Sequence, residues 1–155
     1  HNTDDFFSLI VRSQASNEAG DSLAYYSAEV VCFSCDGTDS NDHRYLFRLV
    51  GRNGQNQLIN TLASINLEPA EFPFDTGEDY SLKVSVIDDK LIAKFWKSSE
   101  PEPADDPDET EEADDTLEVE SNGRAITTSS SELDRGNFGL STNTNKNNFD
   151  NVVLF

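Results

Sequence analysis

The chain alternates short runs of β-branched and aromatic residues with turn-forming residues, and this pattern limits it to an all-β fold. The runs cover residues 5–13, 24–34, 44–50, 57–62, 80–87, 90–97, 137–142 and 148–155. Such runs are typical of strands, and no segment keeps a helical apolar period between capping residues. The stretch GRNG at 51–54 and the pair Asp88-Asp89 are turn signals between runs. The pattern predicts an antiparallel two-sheet β-sandwich.

One hairpin can be paired residue by residue. If the Asp-Asp pair forms a two-residue turn, Ile87 lies opposite Lys90, and the pairing runs back to Ser81 opposite Trp96. One face is then wholly apolar and should pack in the core; it consists of Leu82, Val84, Val86, Leu91, Ala93 and Phe95. The opposite face carries Ser81, Lys83, Ser85, Ile92, Lys94 and Trp96.

Lys83 and Lys94 lie directly across this hairpin from each other, beside Trp96, the only tryptophan in the chain. Two like charges at such a position repel by roughly a few tenths of a kcal/mol unless an anion lies nearby. Two explanations stay open. The lysines pair with the protein's own carboxylates, for instance from the acidic run at 100–120, or they face a ligand as part of a platform with Trp96.

The acidity of the chain is concentrated in one segment. The chain has 30 Asp and Glu against 11 Lys and Arg, and residues 100–120 hold 12 of these carboxylates, three prolines and no basic residue. Such a segment repels itself and buries no apolar area, so we expect a mobile loop at about 99–121, inserted in one domain spanning residues 1–155. The other 134 residues carry a net charge of −7.

The same composition excludes two classes of partner. A net charge of −19 repels the phosphates of nucleic acid instead of neutralising them. No apolar run approaches the roughly 18–20 residues that a membrane-spanning helix needs, so we expect no membrane insertion.

Cys32 and Cys35 are the only cysteines, and they stand in the segment VVCFSCDG. A single C-x-x-C supplies half of a zinc site, and neither His1 nor His43 has metal-ligand spacing around it. A redox role needs the pair at a helix N-terminus after a strand, whereas a turn-forming Asp-Gly pair follows here. A local disulfide or two unpaired thiols remain, and a disulfide would favour an extracellular location.

The segments GEDYSLKVSVIDDKLIAKFWKSSEPEP and GNFGLSTNTNKNNFDNVVLF together resemble a known pattern. They are similar to the second half of concanavalin A-like jelly-roll domains, a group that includes laminin-G-like and carbohydrate-binding modules. The matching residues are Gly77, Tyr80, Leu82, Val84, Trp96, Gly136, Gly139, Leu140, Phe149, Asp150, Asn151 and Val153. The runs at 9–13 and 25–31 fit early strands of that fold. The resemblance implies a jelly roll of two sheets, with ligands held on a concave sheet or on edge loops.

The resemblance also implies a structural calcium ion where the N-terminal segment meets the final strand. Asp150 occupies the matching position of the terminal motif, and Asp4 or Asp5 with backbone carbonyls would supply further oxygen ligands. The alternative is that Asp150 points to solvent or bonds neighbouring backbone. The stretch DGTDSND at 36–42 holds three more carboxylates, but it lacks the order of an EF-hand loop, which favours a plain polar loop.

Catalysis is not expected. Glycosidases and lyases on this scaffold need a carboxylate pair, or a Tyr or His base, in a cleft. Hydrolases of the family resembled here carry an E-x-D-x-x-E type run within a strand, and the nearest such string in this chain lies in the acidic run. No G-x-S-x-G elbow or Cys–His signature is present.

We therefore predict a non-catalytic carbohydrate-binding module, extracellular or at the cell surface, that belongs to a larger protein or assembly. A polysaccharide would stack on Trp96, Tyr45 or Tyr80, with hydrogen bonds from Asn, Arg or Lys side chains. If Lys83 and Lys94 face the ligand, an anionic sugar such as a uronate is favoured. The alternative is a structural or adhesive β-sandwich subunit of a surface layer or filament, in which the acidic run provides solubility or calcium-dependent contacts.

Overall fold

A computed structural model of the protein describes residues 5–14, 22–32, 44–68, 72, 74, 77–105, 123–130, 132–133 and 136–142, with the backbone alone for 5–7 and 141–142. Every regular element in this part of the chain is a strand. In chain order they are β1 (Asp5–Ser13), β2 (Leu23–Cys32), β3 (Tyr45–Asn53), β4 (Leu58–Leu67), β5 (Tyr80–Ile87), β6 (Lys90–Lys97), β7 (Arg124–Ser129) and β8 (Asn137–Thr142). The described residues contain no helix long and apolar enough to cross a membrane.

The strands form two antiparallel sheets, as the sequence pattern predicts. The larger sheet has the order β4-β3-β2-β1-β8 and the smaller has the order β5-β6-β7. Side chains alternate between the two faces of a strand, so each sheet turns every second residue towards the other. The shared core contains Tyr26, Ala28, Val30, Phe47 and Leu49 from the larger sheet, and Leu91, Ala93, Phe95 and Ile126 from the smaller.

The β5–β6 hairpin has the register that the sequence predicts. Ile87 lies opposite Lys90, and the pairing continues to Ser81 opposite Trp96 and Tyr80 opposite Lys97. The expected apolar face packs in the core: Leu91, Ala93 and Phe95 are fully buried, and Leu82, Val84 and Val86 are partly buried against them. Side chains alternate between the two faces of each strand, so the same register also assigns Lys83, Lys94 and Trp96 to the face opposite the core.

Two polar side chains of the larger sheet form hydrogen bonds with the β5–β6 turn and with the segment that follows β7. The Arg12 guanidinium donates to the backbone carbonyl of Asp88, in the β5–β6 turn, and to that of Leu133 at 2.7 Å. The hydroxyl of Tyr26 lies 2.6 Å from Ser130 Oγ and accepts a hydrogen bond from the backbone N–H of Leu133 at 3.1 Å. These hydrogen bonds therefore connect the larger sheet to the segments that follow strands β5 and β7 of the smaller sheet.

Strands β4 and β7 differ most from the predicted pattern. Strand β7, RAITTS, lies between the acidic run and the predicted strand at 137–142, where no strand is predicted. Strand β4 runs to Leu67, beyond the predicted end at residue 62, although Ala63, Ser64 and Asn66 have weak strand propensity. Strand β4 extends to Leu67 because it pairs with β3 along its whole length, and these cross-strand contacts outweigh the weak strand propensity of its residues.

The predicted turn at 51–54 is wrong in its position. Strand β3 continues through Asn53, and the chain turns at 54–57. A Cβ on Gly51 would meet Cδ1 of Leu23 at 2.5 Å, so this glycine serves close packing inside the strand. The turn itself is built on Asn53, whose Oδ1 accepts the backbone N–H of Gln55 at 3.0 Å and that of Gln57 at 2.8 Å. The predicted strand at 148–155 lies outside the described residues.

Candidate functional site

The face of the smaller sheet that points away from the core carries the predicted lysine pair. Lys83 of β5 lies opposite Lys94 of β6, and Trp96 lies on the same face two residues further along β6. The residue between them, Phe95, points into the core and is fully buried. We call Lys83, Lys94 and Trp96 the outer platform.

A carboxylate of the acidic run lies between the two lysines. Lys83 Nζ donates to Oε1 and Oε2 of Glu102 at 2.9 and 3.0 Å, and Lys94 Nζ donates to the same Oε1 at 2.9 Å. Lys94 also donates to the Pro103 carbonyl at 2.7 Å and lies 2.5 Å from Oδ1 of Asp105. The sequence left two explanations for the lysine pair: pairing with the protein's own carboxylates, or contact with a ligand. In this structure the lysines pair with a carboxylate of the protein itself.

The chain reverses directly after β6 to bring these carboxylates onto the sheet. The backbone N–H of Glu100 donates to the carbonyl of Lys97 at 2.9 Å, which closes the reversal. Residues 100–105, which we call the strap, then contact Lys83 and Lys94 of the outer platform; Pro103 is buried there and Lys94 is 7% exposed. The sequence predicts a loop from about residue 99, and this first part of it lies against the sheet because the lysines neutralise it.

Ion pairing in the strap shifts three pKa values. Hydrogen bonds from Lys83 and then Lys94 lower the pKa of Glu102, and the hydrogen bond from Lys94 lowers the pKa of Asp105. Burial acts to lower the pKa of Lys94, but its hydrogen bonds to Asp105 and Glu102 outweigh burial, and the pKa is raised. All three groups therefore stay charged at neutral pH, which is the condition under which the strap is held.

We expect acid to release the strap. Because the folded-state pKa values of Glu102 and Asp105 are lowered, their contribution is complete above the ordinary carboxyl pKa and is lost as the pH falls through the lowered values. Trp96 reports on this face, since it is the only tryptophan. Its fluorescence should change in a step centred below about pH 4. The double variant Glu102→Gln/Asp105→Asn should lack this step, and an identical step in that variant would contradict the assignment.

Tyr45 and Tyr80 lie on the core side of the sheets, away from Trp96. The ring of Phe74 stacks on both, with centroids 3.8 Å from Tyr45 and 5.0 Å from Tyr80. Tyr80 also stacks on Phe95 at 5.5 Å, and burial raises the pKa of the Tyr45 hydroxyl. The structure thus brings Lys83, Lys94 and Trp96 together and places the two tyrosines in a separate aromatic cluster. A ligand contact at either tyrosine stays a prediction.

A buried ion network on the outer face of the larger sheet is absent from the sequence-based prediction. Glu29 is 1% exposed and accepts from Arg52 Nε at 2.5 Å and Nη2 at 2.8 Å. Arg48 donates to the same carboxylate from Nε at 3.0 Å, with Nη2 at 2.8 Å. The hydrogen bond to Glu29 raises the pKa of Arg52. The sequence signal was a single Glu within the apolar run YYSAEVVC and two arginines four residues apart in β3.

The predicted calcium site falls largely outside the described part of the chain. Asp4 and Asp150 lie outside it, and only the backbone of Asp5 is described. Among the described residues, no group of three or more His, Cys, Asp or Glu is placed to hold a metal ion. Calcium at Asp150 with Asp4 or Asp5 stays a prediction.

The cysteine question is answered for one of the two residues. Cys32, at the end of β2, is disulfide-bonded. The chain has one other cysteine, Cys35, which lies outside the described residues. Of the alternatives that the sequence left open, the structure supports a disulfide.

The residues that resemble concanavalin A-like domains fall partly within the described strands. Tyr80, Leu82 and Val84 belong to β5, Trp96 to β6, and Gly139 and Leu140 to β8, whereas residues 149–153 lie outside the described part. Comparison of the chain with protein-family models, with curated proteins and with solved structures found no match in any of the three.

Proposed function

We propose that this domain is a non-catalytic, extracellular carbohydrate-binding module whose ligand is a polysaccharide that carries carboxylate groups. The supporting observation is the carboxylate held jointly by two cross-strand lysines beside the only tryptophan. Both Nζ atoms lie 2.9 Å from one oxygen of Glu102. A uronate carboxylate has the same charge and the same acceptor atoms, so it fits the position that Glu102 now takes.

The ligand would displace the strap from the outer platform. The side chains of Lys83 and Glu102 are 39% and 36% exposed, and an ion pair this accessible to water contributes only about 0–1 kcal/mol. At Lys83 a uronate would therefore replace Glu102 at little loss, whereas at Lys94, whose side chain is 8% exposed, it would also have to replace the contacts with Pro103 and Asp105. Trp96 is half-buried and would offer the apolar part of its ring to one sugar face.

The finer fold and the location belong to the same proposal. Two antiparallel sheets around one core support a β-sandwich, and the resemblance supports a jelly roll of the concanavalin A type. The order β4-β3-β2-β1-β8 places the first and last described strands side by side in one sheet. The disulfide at Cys32 supports an oxidising, extracellular location. An experimental structure with a different strand connection would contradict the jelly roll.

Affinity electrophoresis tests the proposed ligand class. Polygalacturonate in the gel should retard the protein, whereas dextran, which is uncharged, should not. Lys83→Met should weaken binding by up to about fivefold, because an ion pair as exposed as that of Lys83 contributes about 0–1 kcal/mol. Trp96→Ala should also lose most of the retardation.

Lys97→Met is the matched control for Lys83→Met. It removes the same charge from the same hairpin, but Lys97 lies opposite Tyr80 on the core side of the sheet. Its retardation should equal that of the wild type. Equal retardation of the Lys83 and Lys97 variants would show that general charge, and not the outer platform, governs binding, and the proposal would then fail.

We also propose that Asp150, with Asp4 or Asp5, holds a structural calcium ion, as the resemblance implies. Carboxylates are the donors that this hard cation prefers. A metal that binds only the folded chain stabilises it by about 2.7 kcal/mol at a hundredfold excess over its dissociation constant. Thermal melting should therefore rise by several degrees with calcium relative to EDTA, and Asp150→Asn should remove the difference. Equal melting with and without calcium would contradict a calcium site.

A further inference from the structure

We propose that the outer edge of β4 is a self-association surface, at which a second copy of this chain adds its own β4 in antiparallel orientation. Strand β4 (Leu58–Leu67) stands at one end of the larger sheet and pairs with β3 alone. Its other edge has no backbone partner among the described residues. Unpaired N–H and C=O groups along such an edge are a template for another strand.

The composition of β4 gives this edge neither a charge nor a proline as protection. Its ten residues, LINTLASINL, include no charge, no proline and no glycine. Natural edges are commonly protected by lysine, proline or bulges. Two register shifts against β3 lie in the first half of β4, whereas residues 63–67 pair regularly with residues 45–49. Leu67, at the end of this regular half, is 1% exposed, so the part open to a partner is residues 63–66.

The distribution of charge favours a second copy of the chain as the occupant. Residues 44–67, which comprise the β3–β4 hairpin and the residue before it, contain three arginines and no Asp or Glu, whereas the other 131 residues carry a net charge of −22. Two of these arginines, Arg48 and Arg52, are already paired with Glu29. Contact between two copies at most other surfaces would bring carboxylates together, but contact at this edge would not. A twofold β4–β4 pairing matches a neutral strand with itself.

Pairing through a neutral strand determines whether added salt strengthens or weakens dimer formation. Each copy carries a formal charge of −19, so long-range repulsion opposes association in dilute salt. Screening by added salt should strengthen the contact, since backbone hydrogen bonds and apolar side chains hold it together. An interface made of ion pairs would weaken under the same change. The proposal is independent of carbohydrate binding, and its assembly would also serve a structural or adhesive role.

Sedimentation velocity of the 155-residue chain tests the proposal. The dimer fraction should rise with protein concentration, and it should rise again between about 0.05 M and about 1 M NaCl. Ser64→Lys/Asn66→Lys adds two positive charges at exposed positions of the regular half of β4. These charges would meet their copies across the twofold axis, so this variant should associate at least about tenfold more weakly.

A second variant keeps the test decisive. Gln55→Lys/Ser99→Lys adds the same charge at exposed positions in two turns, outside the regular half of β4, and should dimerise like the wild type. Thermal melting of both variants close to that of the wild type would show that the fold is intact. A chain that stays monomeric in all conditions would overturn the proposal. So would a dimer that the β4 lysines leave unchanged, or one that weakens as salt is added.

Discussion

Glu29→Ala should lower the free energy of unfolding by about 3–5 kcal/mol, because it leaves two guanidinium groups without their shared counter-charge in a buried place. The side chain of Glu29 is 1% exposed, and those of Arg52 and Arg48 are 10% and 18% exposed. Both arginines lie on β3, so the loss would weaken the pairing of β2 with β3 in the middle of the larger sheet. Such a loss is a large part of the about 5–15 kcal/mol that stabilises a typical domain.

Urea unfolding followed by circular dichroism measures this effect. Glu78→Ala, at an exposed carboxylate, is the matched control and should change stability by less than about 0.5 kcal/mol. The triple variant Glu29→Leu/Arg48→Leu/Arg52→Met removes the whole network and should be less destabilised than Glu29→Ala, since no unpaired charge remains. A Glu29→Ala variant as stable as the Glu78 control would show that the carboxylate is not buried between the two arginines.

Phe95→Ala should destabilise the domain by a similar amount, about 3–5 kcal/mol, because its ring fills the centre of the core. The ring is fully buried and has centroid distances of 5.4 Å to Phe72, 5.6 Å to Phe74, 5.5 Å to Tyr80 and 5.9 Å to Phe47. Phe47 belongs to the larger sheet and Tyr80 to the smaller one. Removal of the ring would therefore open a cavity between the two sheets.

Phe138→Ala is the control for this second experiment. Phe138 lies on β8 and is 57% exposed, so the same change of residue should alter stability by less than about 0.5 kcal/mol. Both variants lose a phenyl group, but only Phe95→Ala loses core packing. The difference between their urea midpoints therefore measures the contribution of packing. Similar midpoints would contradict the position of Phe95 at the centre of the core.

Strand alternation explains which parts of the fold could be predicted. The bounds of β5, β6 and β8 agree with the sequence pattern, and the register of the β5–β6 hairpin follows from a two-residue turn alone. The end of β4 and the whole of β7 depend on pairing with β3 and β6, which local propensity does not encode. Gly51 lies inside β3, where a turn was predicted, because it pairs with Tyr26 of β2 and Asn60 of β4.

The candidate site shows the same division. Hairpin register brings Lys83 opposite Lys94, but the choice of Glu102 from the 12 carboxylates of the acidic run depends on the chain reversal after β6. Tyr80 could have been assigned to the core side, because it precedes Leu82 by two residues and alternation gives both the same face. The Glu29 network needs the β2–β3 register, which no short turn defines.

If the outer platform binds carboxylated sugars in competition with the strap, removal of the Glu102 charge should strengthen binding. Isothermal titration calorimetry of an oligogalacturonate with the wild type and with Glu102→Gln measures this difference. Glu102→Gln removes the competing charge and leaves Lys83, Lys94 and Trp96 in place. Because an exposed ion pair of this kind contributes up to about 1 kcal/mol, the variant should bind about two- to fivefold more tightly than the wild type. No binding by either protein, or weaker binding by Glu102→Gln, would contradict this competitive binding.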